Sequence, residues 1–151
     1  MKVYIGADHR GVKMKAKIIS LLEEWDYDII DMGAHDENLS CDYPKAAYKV
    51  ATAVAKSKNN RGILVCMSGI GQSIAANKVK GAFAALCFNP TAAKLSRQHN
   101  NANILVISAK FVKPKDLKKM LQVWFNTDFE GGRHQRRLNQ IKKIEKGNVL
   151  K

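Results

Sequence analysis

Five short apolar runs, each separated from the next by a segment with helical periodicity, set the strongest constraint on how this chain folds. They are Val3–Ala7, Asp28–Met32, Gly62–Cys66, Ala82–Cys87 and Ile104–Ser108. Met14, Ile18, Leu21, Leu22 and Trp25 share one helical face, as do Ala47, Val50, Ala51 and Val54, and then Leu117, Met120, Leu121 and Trp124. Each such helix has one side to bury. Stretches such as Gly62–Cys66 are continuously apolar rather than alternating, which is the pattern of a strand covered by helices on both faces. The spacing therefore predicts an α/β fold around a mostly parallel five-stranded sheet. Asp42-Tyr43-Pro44 and Pro114 with Asp116 are expected helix starts, because proline fits a first turn and an acidic residue favours the helix amino end. A helix is also expected over Gln72–Val79. A very basic one follows at Arg133–Ile144, whose stripe of Leu138, Ile141 and Ile144 suits packing on a neighbouring subunit.

The 151 residues fit one domain, read here as 1–145 followed by a flexible basic tail at 146–151. No apolar run approaches the roughly 18 residues that a membrane span needs, and Met1–His9 lacks the features of a signal peptide. Cys41, Cys66 and Cys87 are an odd, scattered set without a CxxC pair, which argues against a disulfide framework or a zinc ribbon. A cytoplasmic protein with free thiols is expected. The formal charge of +13 is concentrated late: residues 110–151 carry 12 Lys or Arg against 4 Asp or Glu. That balance points to an anionic partner. Nucleic acid is not the expected one, since the lysines are scattered over helix faces.

Ligands of open parallel sheets sit at the carboxyl ends of strands, so the residues following each apolar run are the ones to inspect. Cys66 ends the third run and is followed by Met67-Ser68-Gly69-Ile70-Gly71, a glycine turn leading into a helix. Amides at such a turn bind anions, can stabilise an oxyanion, and draw a nearby thiol toward thiolate. Cys66 is thus a candidate base, and a small buried hydrophobe is its plain alternative role. The turn lacks the third small residue and the acidic partner of a dinucleotide fingerprint, and it lacks the Gly-Lys-Ser/Thr of a phosphate loop. Asp8-His9 after the first run supplies an acid/base and a phosphate contact. His99-Asn100-Asn101, after the fifth run or just before it, is similar. Arg133 and Arg137, four apart on one helix face, make a phosphate clamp or a solvated basic face.

These residues together resemble the type B ribose-5-phosphate isomerases and the related galactose-6-phosphate isomerase subunits, over about residues 1–145. The resemblance is carried by IGADHRG, DYP at Asp42–Pro44, RGILVCMSGIGQSIAANK at Arg61–Lys78, AALC, SRQHNNAN at Ser96–Asn103 and FEGGRHQRR at Phe129–Arg137. It implies a three-layer Rossmann-like fold, isomerisation of D-ribose 5-phosphate and D-ribulose 5-phosphate without metal or cofactor, and a homodimer, or a tetramer, with active sites completed across the interface. Cys66 falls at the family's base, Ser68 at a hydroxyl-proton shuttle, and the amides of Met67, Gly69, Ile70 and Gly71 at the enediolate's anion hole. Asp8 and His99 match ring-opening positions. His9, Lys110, Arg133 and Arg137 match phosphate contacts, the two arginines from the partner subunit, while Tyr43 and Asn100 match the pocket lining. Met67 replaces a usual Gly, Ser68 a Thr, Lys110 an Arg, and Arg10 a small residue. The competing expectations are a hexose 6-phosphate isomerase (allose or galactose) and a non-catalytic module binding anions or nucleic acid.

Overall fold

The computed structural model describes residues 1–149. In chain order the elements are β1 (Lys2–Ala7), a short 3-10 turn (His9–Gly11), α1 (Val12–Glu23), β2 (Asp28–Asp31), α2 (Tyr43–Ala55), β3 (Arg61–Cys66), α3 (Ile70–Ala76), β4 (Ala84–Cys87), α4 (Pro90–Asn100), β5 (Ile104–Ser108), α5 (Pro114–Phe125) and α6 (Gly132–Glu145). The strands form one parallel sheet in the order β2-β1-β3-β5-β4. All five expected strands and both proline-marked helix starts are present. No helix among the described residues is long and apolar enough to cross a membrane. Of the expected tail at 146–151, residues 150 and 151 lie outside the described residues.

The uninterrupted apolar strands feed two separate cores by alternation. Ile63 and Val65 of β3, with Leu105 and Ile107 of β5, pack on one face beneath Ile18 and Leu22 of α1 and Leu117, Met120, Leu121 and Trp124 of α5. Leu64, Ile104 and Val106 point to the other face, under Ala47, Val50, Ala51 and Val54 of α2 and Ala76 of α3. Both sides of the sheet are thus removed from water, which is why its strands carry so few polar residues. Lys15 on α1 is buried, and its Nζ is 2.5 Å and 2.7 Å from the two carboxylate oxygens of Asp31 at the end of β2. This ion pair ties the edge strand to its helix.

The other strand limits and those of the last helix fall within one residue of expectation, while two elements move further. The helix predicted over Gln72–Val79 runs instead from Ile70 to Ala76. Asn77 ends it: its Nδ2 donates to the Ser73 and Ala84 carbonyls, and its Oδ1 accepts from the Ala84 amide. The fourth strand begins at Ala84 rather than Ala82, because the Phe83 amide bonds the Asn103 side chain in place of a neighbouring strand. The basic helix α6 packs His134 and Leu138 against the body but leaves Ile141 and Ile144 exposed. A partner for that stripe is not part of this single chain.

Candidate active site divided between two edges of the sheet

The chain reverses direction across the sheet between β1 and β3, and a crevice forms at the carboxyl ends of strands flanking such a point. The two loops that leave these strands are bonded together there: the Asp8 amide donates to the Val65 carbonyl at 3.2 Å. Buried Asp8 also caps the following turn, its carboxylate accepting from the Gly11 amide at 2.9 Å. Gly11 permits this close approach, since a Cβ there would lie 2.3 Å from the Val65 carbonyl oxygen. His9 is held from the opposite side, its Nδ1 accepting from the Cys41 amide at 3.3 Å. The segment between β2 and α2 therefore folds over the phosphate-contact candidate.

Beyond Cys66 the chain turns through Gly69, whose φ of +81° is one that side chains rarely adopt. The turn brings the Gly69 amide to 3.1 Å from Cys66 Sγ, and the Ile70 amide to 3.3 Å from Ser68 Oγ. Tyr43, at the start of α2, lies against Gly71 so closely that a Cβ there would meet its ring at 2.5 Å. Ser108 at the end of β5 donates to the Met67 carbonyl at 2.7 Å, and the Lys110 amide donates to the same carbonyl at 3.1 Å. The Lys110 ammonium sits 5.7 Å above the Phe111 ring. One edge of the sheet thus gathers Asp8, His9, Tyr43, Cys66, Met67, Ser68, Gly69, Ile70, Gly71 and Lys110.

The expectation that the glycine turn draws Cys66 toward thiolate needs correcting. Burial pushes this thiol above its ordinary value, and the Asp8 carboxylate pushes the same way; amide donation from Gly69, Ser68 and Gln72 only partly offsets them. Desolvation outweighs a helix of seven residues. Gln72, which the sequence did not single out, is fully buried one turn into α3, and neither of its amide atoms has a hydrogen-bond partner among the described residues.

His99 and Asn100 stand elsewhere. They end α4 ahead of β5, whose first residue Ile104 pairs with Gly62 at the start of β3, whereas Cys66 pairs with Ser108 at the other end. Of the two placements the sequence allowed, the position before the fifth strand is the correct one, and it puts both residues at the amino edge. At a rise of about 3.3 Å per residue, β3 alone separates the two edges by about 17 Å. Arg133 and Arg137 belong to the amino edge as well: they are exposed on α6, which is anchored by the Glu130 amide donating to the Gln98 carbonyl and by Glu145 accepting from the Gly81 amide. There His99 stacks on His134, ring centroids 4.3 Å apart, with Glu130 beside both.

A doubly covered parallel sheet with a thiol, a hydroxyl and an amide nest at one strand end defines a class, that of α/β proteins equipped for proton transfer on an anionic substrate. The comparisons narrow it: the model of the Ribose/Galactose Isomerase family matches residues 3–141, and the chain belongs to that family. Ribose-5-phosphate isomerase B of Escherichia coli (strain K12) is 41% identical over 95% of this chain and 96% of that one. Among solved structures, ribose-5-phosphate isomerase B of Clostridium thermocellum superposes with a TM-score of 0.94 at 43% identity, covering 97% of this chain and 99% of that one. The enzyme of the same name from Mycoplasma genitalium, solved with bound ribulose-5-phosphate, gives 0.92 at 40% identity and 96% coverage of each chain.

Proposed function

We propose that this chain interconverts D-ribose 5-phosphate and D-ribulose 5-phosphate through an enediolate, as a cytoplasmic enzyme of the non-oxidative pentose phosphate branch, with residues 1–145 as its one catalytic domain. The observation that carries the proposal is the Cys66 thiol, 3.1 Å from the Gly69 amide at the end of β3, on a chain of this family. Asp8 and the partner's His99 open the sugar ring. Cys66 then removes the C2 proton and returns it to C1, while Ser68 passes the hydroxyl proton between the two oxygens. The amides from Met67 to Gly71 hold the enediolate oxygen, whose developing charge sets the barrier. The phosphate rests on His9 and Lys110, and on the partner's Arg133 and the partner's Arg137, so that remote binding energy fixes the reacting carbons. Tyr43 and the partner's Asn100 line the pocket.

A homodimer follows from the division of the site, because the groups at the amino edge cannot reach Cys66 of their own chain. Exposed Tyr48 on α2, and Ile70 and Ile74 on α3, give such a partner an apolar seat near the carboxyl edge. The test is conversion of ribose 5-phosphate by wild type and Cys66→Ala in EDTA, with allose and galactose 6-phosphates alongside. Turnover that prefers the pentose and is lost in the variant is the expected result. Equal turnover by the variant removes Cys66 as the base, and preference for a hexose phosphate overturns the substrate.

A further inference from the structure

Three donor groups converge at the amino edge in a way that the isomerisation does not require. One donor atom each of His99, Glu130 and His134 lies within 4.8 Å of the other two, and Glu130 Oε2 is 3.8 Å from His99 Nε2 and 3.6 Å from His134 Nε2. His134 is buried, and its Nε2 has no hydrogen-bond partner among the described residues. A buried imidazole nitrogen left without a partner costs stability unless something else occupies it. We propose that His99, Glu130 and His134 form a binding site for a transition-metal dication of the zinc type, and that the bound ion inhibits the isomerase by withdrawing His99 from ring opening. The inhibitory half of this proposal rests on the role assigned to His99 above.

The donor chemistry selects the ion. Two imidazoles and one carboxylate, with a fourth position open to water, suit zinc and its neighbours, whereas magnesium and calcium take oxygen ligands. Arg133 flanks His134 on α6, and Arg137 follows one turn later on the same helix. The same arginines repel cations, so the site favours ions held by coordinate bonds over ions held by charge alone. The two rings are stacked, 7° from parallel. To share an ion at about 2.0–2.1 Å from each nitrogen, one ring must turn, and partly exposed His99 at the last turn of α4 is the ring with room to do so.

The experiment uses metal-free full-length protein, titrated with Co2+ in the visible range and, separately, assayed for isomerase activity against Zn2+. Wild type is expected to bind one Co2+ per chain with tetrahedral absorption bands. Both Glu130→Gln and His134→Ala should lose those bands. Zn2+ should inhibit wild type reversibly, with EDTA restoring the rate. In each variant, measured against its own metal-free rate, the half-inhibiting concentration should rise by about tenfold or more, the scale of losing part of a metal's support. Glu130 is exposed, so Glu130→Gln keeps the test alive if His134→Ala fails to fold. A sulfur-to-cobalt charge-transfer band, or inhibition unchanged in the folded variants, places the ion on a cysteine and overturns the proposal. Should the chain lack isomerase activity, the Co2+ titration still decides the site.

Discussion

The division of the site makes a quantitative prediction about mixed dimers. Cys66→Ala removes the base at the carboxyl edge, and the double variant Arg133→Ala/Arg137→Ala removes the phosphate clamp at the amino edge. Each alone leaves every active site of its own dimer defective. About 17 Å of β-strand separates the edges, more than a five-carbon phosphate spans, so the proposed site draws Cys66 from one chain and the arginines from another. In a dimer combining one chain of each kind, one site collects both defects and the other collects neither. Random assortment in a closed two-fold dimer gives mixed species in half the population, each with one intact site of two, so activity should recover to about a quarter of wild type. The assay is co-refolding or subunit exchange of the two inactive proteins at equal concentration, followed by ribose 5-phosphate turnover, with tagged chains to count the mixed species. Formation of mixed dimers without recovery refutes the shared site, and so does full activity in the double variant alone.

Further outcomes follow from individual residues. Because the thiolate is the basic form and burial and Asp8 both raise the Cys66 thiol, kcat/KM should climb with pH beyond the range of an ordinary thiol, and Asp8→Asn should move that limb to lower pH; a limb at or below the ordinary thiol value in wild type contradicts this. Cys87 is pushed up to about 11 from an ordinary 9.0 by burial, so the unfolded chain ionises first as pH rises. Stability should therefore be whole below the ordinary value, fall by about 3 kcal/mol as pH climbs towards 11, and lose that alkaline slope in Cys87→Val, read from urea midpoints. Gly69→Ala would place a Cβ 2.4 Å from Leu86 Cδ1 at a φ of +81°; the left-handed strain alone costs about 1–2 kcal/mol, at about 2–4 °C of Tm per kcal/mol, and kcat should fall with it as the amide leaves Cys66. Lys110→Arg restores a planar fork for phosphate and should lower KM about fivefold without raising kcat; an unchanged KM would detach Lys110 from the substrate.

How much was legible follows from what each signal reports. Strand and helix positions came through because burial on both faces writes itself into the sequence as apolar runs, Ile63–Val65 and Ile104–Ile107 being the clearest. The carboxyl-edge residues came through for a related reason: the rule that ligands bind after strands picks out Asp8, His9 and Cys66 directly. The placement of His99 stayed open in the residues themselves, since the same three-residue stretch serves equally as the exit of one strand or the approach to the next. The sequence leaves the ionisation of Cys66 open, because the amide turn is local and visible while desolvation is set by the whole fold. Glu130 and His134 lay inside a recognised motif but drew no attention, as their convergence with His99 joins α4 to α6. Gln72 offered no signal at all, for nothing local distinguishes a buried glutamine from a solvated one.

The departures from local preference are informative about why the site is built on edges. At the carboxyl edge Gly69 is left-handed, Asp8 is a buried carboxylate and the Gln72 side chain goes unpaired among the described residues. At the amino edge Asn101 adopts a φ of +46° directly after His99 and Asn100, Gly131 and Gly132 are both at positive φ just before Arg133, and His134 Nε2 has no hydrogen-bond partner among the described residues. Between them the two apolar cores are continuous, and the central strands pair in unbroken register. A sheet so supported tolerates strain at its ends because the free energy of the fold is held in the middle, which is where consistency between sequence and structure is expected to be greatest. At these strained ends a thiol (Cys66), a carboxylate (Asp8) and an imidazole (His134) are kept poorly solvated. In the proposed dimer, the same division keeps Arg133 and Arg137 away from Lys110 within a chain, so these like charges would meet only across a partner with a phosphate between them.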